Sequence, residues 1–182
     1  MIIIGAFIFV IGVFTVITFN RAVRLKTLVA EAASGIDVQL KRRYDLIPNI
    51  VGAVKGYMAH ERTVLEQVVS LRSQAMSAAS VQDNAAIETR LSAALKQVFA
   101  LAENYPDLKA GKNFLDLQSS LISVEDELQL SRRYYNGAVR NYNILVESFP
   151  GNLAASAFGF RPARFFEIEY ATERRNPDVK FT

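Results

Sequence analysis

The chain has 182 residues, 51% of them hydrophobic, with 21 bases against 18 acids and a formal charge of +3. That length suffices for one domain with a real core, and so small an excess of base excludes a broad nucleic-acid-binding stripe. Cysteine is absent, which excludes disulfides and thiol chemistry and suits a reducing compartment.

The first element is the most informative. Ile2 to Phe19 carries no charge, and Arg21, Arg24 and Lys26 follow at once. Eighteen helical residues rise about 27 Å, close to the roughly 30 Å of a bilayer's hydrocarbon core. Residues 1–20 are therefore expected to be a transmembrane anchor, with 21–182 as the body it carries. Two readings compete with this one. A buried soluble helix is also apolar all round, but rarely opens a chain and then meets three bases in six residues. A cleaved signal peptide wants a small-residue exit, whereas here the exit reads Thr18-Phe19-Asn20-Arg21. Gly5 and Gly12 lie seven apart, not at the four-residue spacing of close helix pairs, so pairing through the anchor lacks support.

Residues 21 to 43 hold Arg21, Arg24, Lys26, Lys41, Arg42 and Arg43 against Glu31 and Asp37. Basic flanks stay cytoplasmic. The expected topology puts the amino terminus outside and the body inside, with the membrane-proximal bases Arg21, Arg24 and Lys26 near anionic headgroups.

From Leu25 the apolar spacing is three and four, through Ile36, Leu40, Tyr44, Ile47, Val54, Met58, Leu65 and Val68. This predicts one long helix continuing from the anchor to about Met76–Ser80. Pro48 interrupts the stripe without shifting its phase, so a kink there is expected rather than an end. Ser80 to Asn84 reads as a link, and a second helix follows to about Glu103, with Ile87, Leu91, Leu95, Val98 and Ala102 inward. Pro106 ends that helix or opens the next element. The third helix has the clearest rhythm, from Phe114 through Leu121, Leu128, Tyr135 and Tyr142 to Phe149. A 3-4 repeat over five heptads suits coiled-coil-like packing on a long partner, and the first helix is that partner by length. Pro150-Gly151-Asn152 stops it. A short helix at Leu153–Phe158 and a further helix start at Arg161-Pro162 are expected, with Phe165, Phe166, Ile168 and Tyr170 capping the bundle and Asn176-Pro177 closing it. No strand alternation persists, so the fold class expected is all-α: an antiparallel bundle of long helices continuing from the transmembrane helix.

The run Ile36-Asp37-Val38-Gln39-Leu40-Lys41-Arg42-Arg43-Tyr44-Asp45-Leu46-Ile47-Pro48-Asn49, with Val54 to Glu61 after it, resembles the signature of the LemA family. Glu103 to Ala110 is similar to that family's second motif. Tyr135-Asn136, Tyr142-Asn143, Phe149-Pro150 and Phe158-Gly159-Phe160 are similar to its carboxy-terminal region. The resemblance covers essentially the whole chain in order. It implies a bacterial protein with one amino-terminal anchor, a helical bundle and no known catalytic activity, in the inner (cytoplasmic) membrane or, in one branch, the magnetosome membrane. One departure is Ala33-Ser34-Gly35, where the family commonly has a tryptophan.

Asp37, Lys41 and Asp45 lie four apart on one helix face, flanked by Arg42 and Arg43. Such pairs contribute only ~0.2–0.5 kcal/mol each, so this is either a solvated bundle face or a docking surface near the membrane, for a partner or for anionic lipid. His60-Glu61 is no metal motif, because the chain has a single histidine. Glu125-Asp126-Glu127 spreads over about 200° of helix and reads as a solvated face. No nucleophile elbow, phosphate loop or ligand triad is present, so neither an enzyme nor a cofactor is expected. Buried tyrosine hydroxyls need partners, which Asn49, Asn104, Asn136 and Asn143 are expected to supply, fixing helix register. Tyr105, Phe158 and Phe160 lie at turns and are either an apolar cap or a tip surface far from the membrane. Gly159 is expected to take a left-handed conformation or a close approach.

The function expected is binding: a membrane-anchored scaffold or interaction protein, whose partners are the lipid bilayer, an unidentified membrane protein or further copies of the chain. A self-assembling homo-oligomer that shapes membrane is the alternative.

Overall fold

The computed structural model describes residues 2–58, 60–77 and 85–166. Six helices follow in order: α1 Ile2–Lys55, α2 Arg62–Met76, α3 Ala85–Ala102, α4 Pro106–Lys109, α5 Lys112–Glu147 and α6 Gly151–Ala157. No strand occurs among the described residues, so the fold is all-α. The expected link at 80–84 and the residues Ile168, Tyr170, Asn176 and Pro177 lie outside the described residues.

α1 is 54 residues long and runs without a break from the apolar stretch into the body. In its most apolar eighteen-residue window only 6% is buried. A soluble core helix would bury that window, so the amino-terminal half of α1 has the length, composition and exposure of a transmembrane helix. Thr15, inside the stretch, donates its hydroxyl to the Ile11 carbonyl at 2.8 Å, which satisfies it without water.

Contacts divide the described residues into two units, 2–43 with 122–166, and 44–121. In the first unit, α1 and α5 run antiparallel. Arg43 meets Glu125 near one end, while Leu25 and Val29 pack on Tyr142 and Val146 near the other. The α5 stripe buries Val124, Leu128, Tyr135, Ala138 and Tyr142, as the heptads require. Its last member, Phe149, breaks the pattern and is 80% exposed. The turn into α6 needs glycine at 151, since a Cβ there would stand 2.5 Å from the Leu145 carbonyl oxygen. Gly159 has φ +74°, the left-handed conformation expected of it.

In the second unit the long first helix expected from Leu25 to about Met76–Ser80 is in fact two. α1 ends at Lys55, where Gly56 follows and the amides of Tyr57 and Met58 both turn back to the Val54 carbonyl at 3.0 and 2.9 Å. The apolar phase survives the break, because Val54, Met58, Leu65 and Val68 are all buried. Periodicity alone could not reveal the break. Pro106 opens α4 at its first turn, where its missing N–H costs nothing.

Pro48 lies inside α1. It cannot donate to the Tyr44 carbonyl four residues earlier. Arg72 of α2 replaces that donor, with its Nε 2.8 Å from the Tyr44 oxygen. Arg72→Met is therefore expected to cost about 1–3 kcal/mol by taking this donor from the carbonyl. In a Pro48→Ala background, where the backbone N–H returns, the same change should cost far less. A double-mutant cycle read by thermal unfolding checks this, and equal costs in both backgrounds would refute the pairing.

Arg161-Pro162 does not start a helix. Residues 161–166 have no helical hydrogen bonds and instead lie along α5, held by side chains described below. Of the two phenylalanines expected to cap the bundle, Phe166 is buried and Phe165 is exposed.

Candidate interaction surfaces

In the first unit the exposed face of α1 begins with Arg21, Arg24 and Lys26, all exposed just past the apolar stretch. Further along, Asp37, Lys41 and Arg42 are exposed, and Arg42 donates to Gln39 Oε1 at 3.3 Å. Desolvation raises the Asp37 carboxyl above its ordinary value. Arg43 does not share this face. Its side chain is 0% exposed and its Nη2 lies 2.8 Å from Glu125 Oε1. Consecutive helical residues sit 100° apart, so the residue after an outward Arg42 turns toward α5. Glu125 accordingly leaves the solvated acidic group expected of it, while Asp126 and Glu127 stay exposed.

The α5 face beyond Glu125 carries a second set of polar groups. Asn143 accepts from the Ala163 amide through Oδ1 at 2.8 Å and donates through Nδ2 to the Ala163 carbonyl at 2.9 Å. Asn136 treats Phe166 identically, at 2.8 and 3.0 Å. Tyr135 donates to the Arg164 carbonyl at 2.9 Å, and the Arg132 guanidinium lies 4.7 Å above the Phe166 ring. Burial pushes the Tyr142 phenol above its ordinary value, and a backbone hydrogen bond from Arg161 partly opposes this. The spacing explains the fit. Seven helical residues rise about 10.5 Å, and three extended residues span about 9–10 Å. Asn136 and Asn143 can thus each meet a backbone unit of the same extended segment. The expected asparagine–tyrosine pairs do not form: these two asparagines bind backbone, and Asn49 and Asn104 are exposed.

Phe158 and Phe160 do not mark a remote tip. Their ring centroids lie 4.9 and 5.7 Å from that of Phe19, at the end of the apolar stretch. The cause is the antiparallel return of α5, which brings the residues after it back to the end of the apolar stretch of α1.

The second unit holds its own ties. Tyr44 donates to Glu88 Oε1, both residues being buried. Tyr105 belongs to this unit, half-buried at the start of α4, and donates to Glu61 Oε1 at 2.7 Å. That hydrogen bond, then desolvation, then the charge of Glu61 raise the Tyr105 pKa above its ordinary 10. A raised folded-state value means the tie stabilises fully below the unfolded pKa and is lost as pH rises through the folded one. Glu61→Gln should bring the Tyr105 titration down toward 10. Alkaline difference absorbance between each protein and its Tyr105→Phe counterpart checks this, and an unmoved titration would remove Glu61 as the cause. Asp45 is exposed here, as is Pro48. An open groove of about 710 Å³ lies between α1 and α2, lined by Val51, Met58, Leu65 and Val69 with Lys55, Arg62 and Glu66 at its polar parts.

Among the described residues no group of three or more His, Asp or Glu is placed to hold a metal ion.

Magnetosome protein MamQ 2 of Paramagnetospirillum magneticum is 23% identical to this chain, over 82% of the chain and 64% of its own length. Protein LemA of Metamycoplasma hominis is 27% identical, over 95% of this chain and 80% of its own. Magnetosome protein MamQ of Magnetospirillum gryphiswaldense is 21% identical, over 73% of this chain and 58% of its own. The chain thus spans less than two thirds of the magnetosome proteins' length. The LemA family model matches residues 32–181, including the Ile36–Asn49 run and both asparagine positions on α5. This all-α chain belongs to the LemA family.

Proposed function

We infer that the protein is a single-pass membrane scaffold whose body lies on the cytoplasmic side and recruits other proteins. The observation that carries this reading is the continuity of α1. One helix from Ile2 to Lys55 forms both the apolar stretch and the spine of the body, so whatever docks on the body is held at a set height above the bilayer. The basic exit at Arg21, Arg24 and Lys26 supports a cytoplasmic body. The docking surface is the exposed α1 face of Asp37, Lys41 and Arg42, with mixed charge and no metal chemistry. The division at 20/21 is then a change of solvent, not of structure. The names of the magnetosome relatives add an organelle membrane to the cytoplasmic membrane as the place where such a scaffold works.

Native mass spectrometry of the full-length protein, extracted with its lipid, tests this. The expected result is the chain with one recurring unrelated protein, reduced by Lys41→Glu and Arg42→Glu. A large uniform homo-oligomer without other proteins would overturn the scaffold reading in favour of a self-assembling membrane organiser.

A further inference from the structure

The part of α1 expected to cross the bilayer is not bare on every side. Thr18 and Ala22 are 6% and 1% exposed, whereas Val16 and Ile17 are 60% and 61% exposed. A groove of about 310 Å³ runs beside Phe14, Ile17, Thr18 and Arg21, with Ser148 and Phe149 on its far wall. Phe19 packs on Phe158 and Phe160 as described. The end of α5, the turn after it and α6 therefore stand beside the last turns of the apolar stretch. Phe14 to Arg21 covers about 10 Å of helix axis, and Arg21 is its first charge. If Arg21 marks the headgroup level, Phe149 lies at that depth or deeper.

The residues there suit that depth. Phe149 is 80% exposed, Leu153 62%, Ile144 56% and Phe158 51%. Nothing in the chain covers them among the described residues, and large apolar side chains left exposed in this way mark an interaction site. The charges of this part of the chain have one dominant sign: Arg140, Arg161 and Arg164 stand against the single acid Glu147 within 139–166, and all four are exposed. Exposed apolar side chains at the end of the apolar stretch, with a mainly basic surface further along α5, fit the boundary between acyl chains and anionic headgroups, which interfacial helices enter to a depth of about 5–10 Å.

We propose that the α5–α6 turn and α6 form a second, interfacial contact with the bilayer, in which Phe149 and Leu153 enter the lipid beside the transmembrane part of α1. The proposal rests on the reading that Ile2–Phe19 crosses the membrane. Two contacts fix what one cannot: the transmembrane helix sets the height of the body, and the interfacial foot sets its tilt and the direction it faces.

The lack of cysteine makes the test direct. Full-length protein carrying one cysteine at a time, Val10→Cys, Phe149→Cys, Leu153→Cys or Glu127→Cys, is labelled with an environment-sensitive dye. It is then reconstituted into vesicles of phosphatidylcholine with phosphatidylglycerol, some carrying bromine at shallow or deep acyl positions. Position 127 is the water control, about 30 Å along α5 from its end. The expected result is quenching of the 10 label by deep bromine, of the 149 and 153 labels by shallow bromine, and none at 127. Quenching at 10 with water-exposed 149 and 153 would overturn the foot and leave the transmembrane reading standing. Disulfide formation between copies through Leu153→Cys, with no lipid quenching there, would assign the patch to a second copy instead. No quenching at 10 would sink both readings together.

Discussion

Glu125→Leu is expected to destabilise the first unit by about 3–5 kcal/mol, more than the complementary Arg43→Met. The asymmetry follows from burial. The Arg43 side chain is 0% exposed and that of Glu125 31%. Removing the carboxylate takes a counter-charge from a fully buried guanidinium, whereas removing the guanidinium leaves a carboxylate that water still reaches. Methionine also keeps a long unbranched stem in the space Arg43 fills, which limits the cavity. The double variant Arg43→Met/Glu125→Leu should recover most of the loss, because replacing both members of a buried pair with apolar groups is often neutral. A 3 kcal/mol loss corresponds to a fall in melting temperature of roughly 10 °C for a body of this size. Thermal unfolding of the reconstituted protein, followed by circular dichroism, reads the order of the three variants. If Arg43→Met cost as much as Glu125→Leu, or the double variant were the least stable, the pair would not be a desolvated charge pair.

Sequence pattern reached the helices and stopped at the polar groups beneath them. Spacing of three and four located the buried faces of α1, α3 and α5, since burial of one stripe dominates helix packing. It missed the break at Gly56, because the stripe resumes in phase across a short turn. It could not separate Arg42 from Arg43: both read as surface bases, and only the rotation of α1 against α5 puts one outward and the other at Glu125. Pro48 was visible, but its compensation was not, since Arg72 lies 28 residues from the carbonyl it serves. Phe158-Gly159-Phe160 stood out as a turn, yet its place beside Phe19 depends on the antiparallel return of α5. For Asn136 and Asn143 a usable signal did exist. Two asparagines one heptad apart on the buried face of an otherwise apolar stripe demand partners. Tyrosines were the wrong choice of partner because an asparagine amide, with one acceptor and two donors, matches a peptide unit better than a single hydroxyl.

The same match makes the second large effect. Asn143→Leu removes both hydrogen bonds to Ala163 and leaves an N–H and a C=O facing an apolar side chain, at about 1–3 kcal/mol for each group left buried and unsatisfied. The cost has a ceiling, because residues 161–166 can leave α5 and let water satisfy both groups. The expected outcome is therefore release rather than global unfolding. Amide protection at Ala163 and Phe166 should fall together, by about 100-fold if some 3 kcal/mol is lost, while α1 and the rest of α5 keep theirs. Asn136→Leu should do the same from the other end, through Phe166. The double variant should add little to either single one, since a segment already released cannot be released again. Asn143→Asp separates geometry from shape: it keeps the acceptor for the Ala163 amide, loses the donor to the carbonyl, and should fall between wild type and leucine. Hydrogen exchange by mass spectrometry, resolved to the peptide covering 161–166, reads all four variants. Unchanged protection in Asn136→Leu/Asn143→Leu would show that the arginine, tyrosine and phenylalanine contacts hold this segment without the asparagines, and that the seven-to-three spacing match plays no part in fixing it on α5.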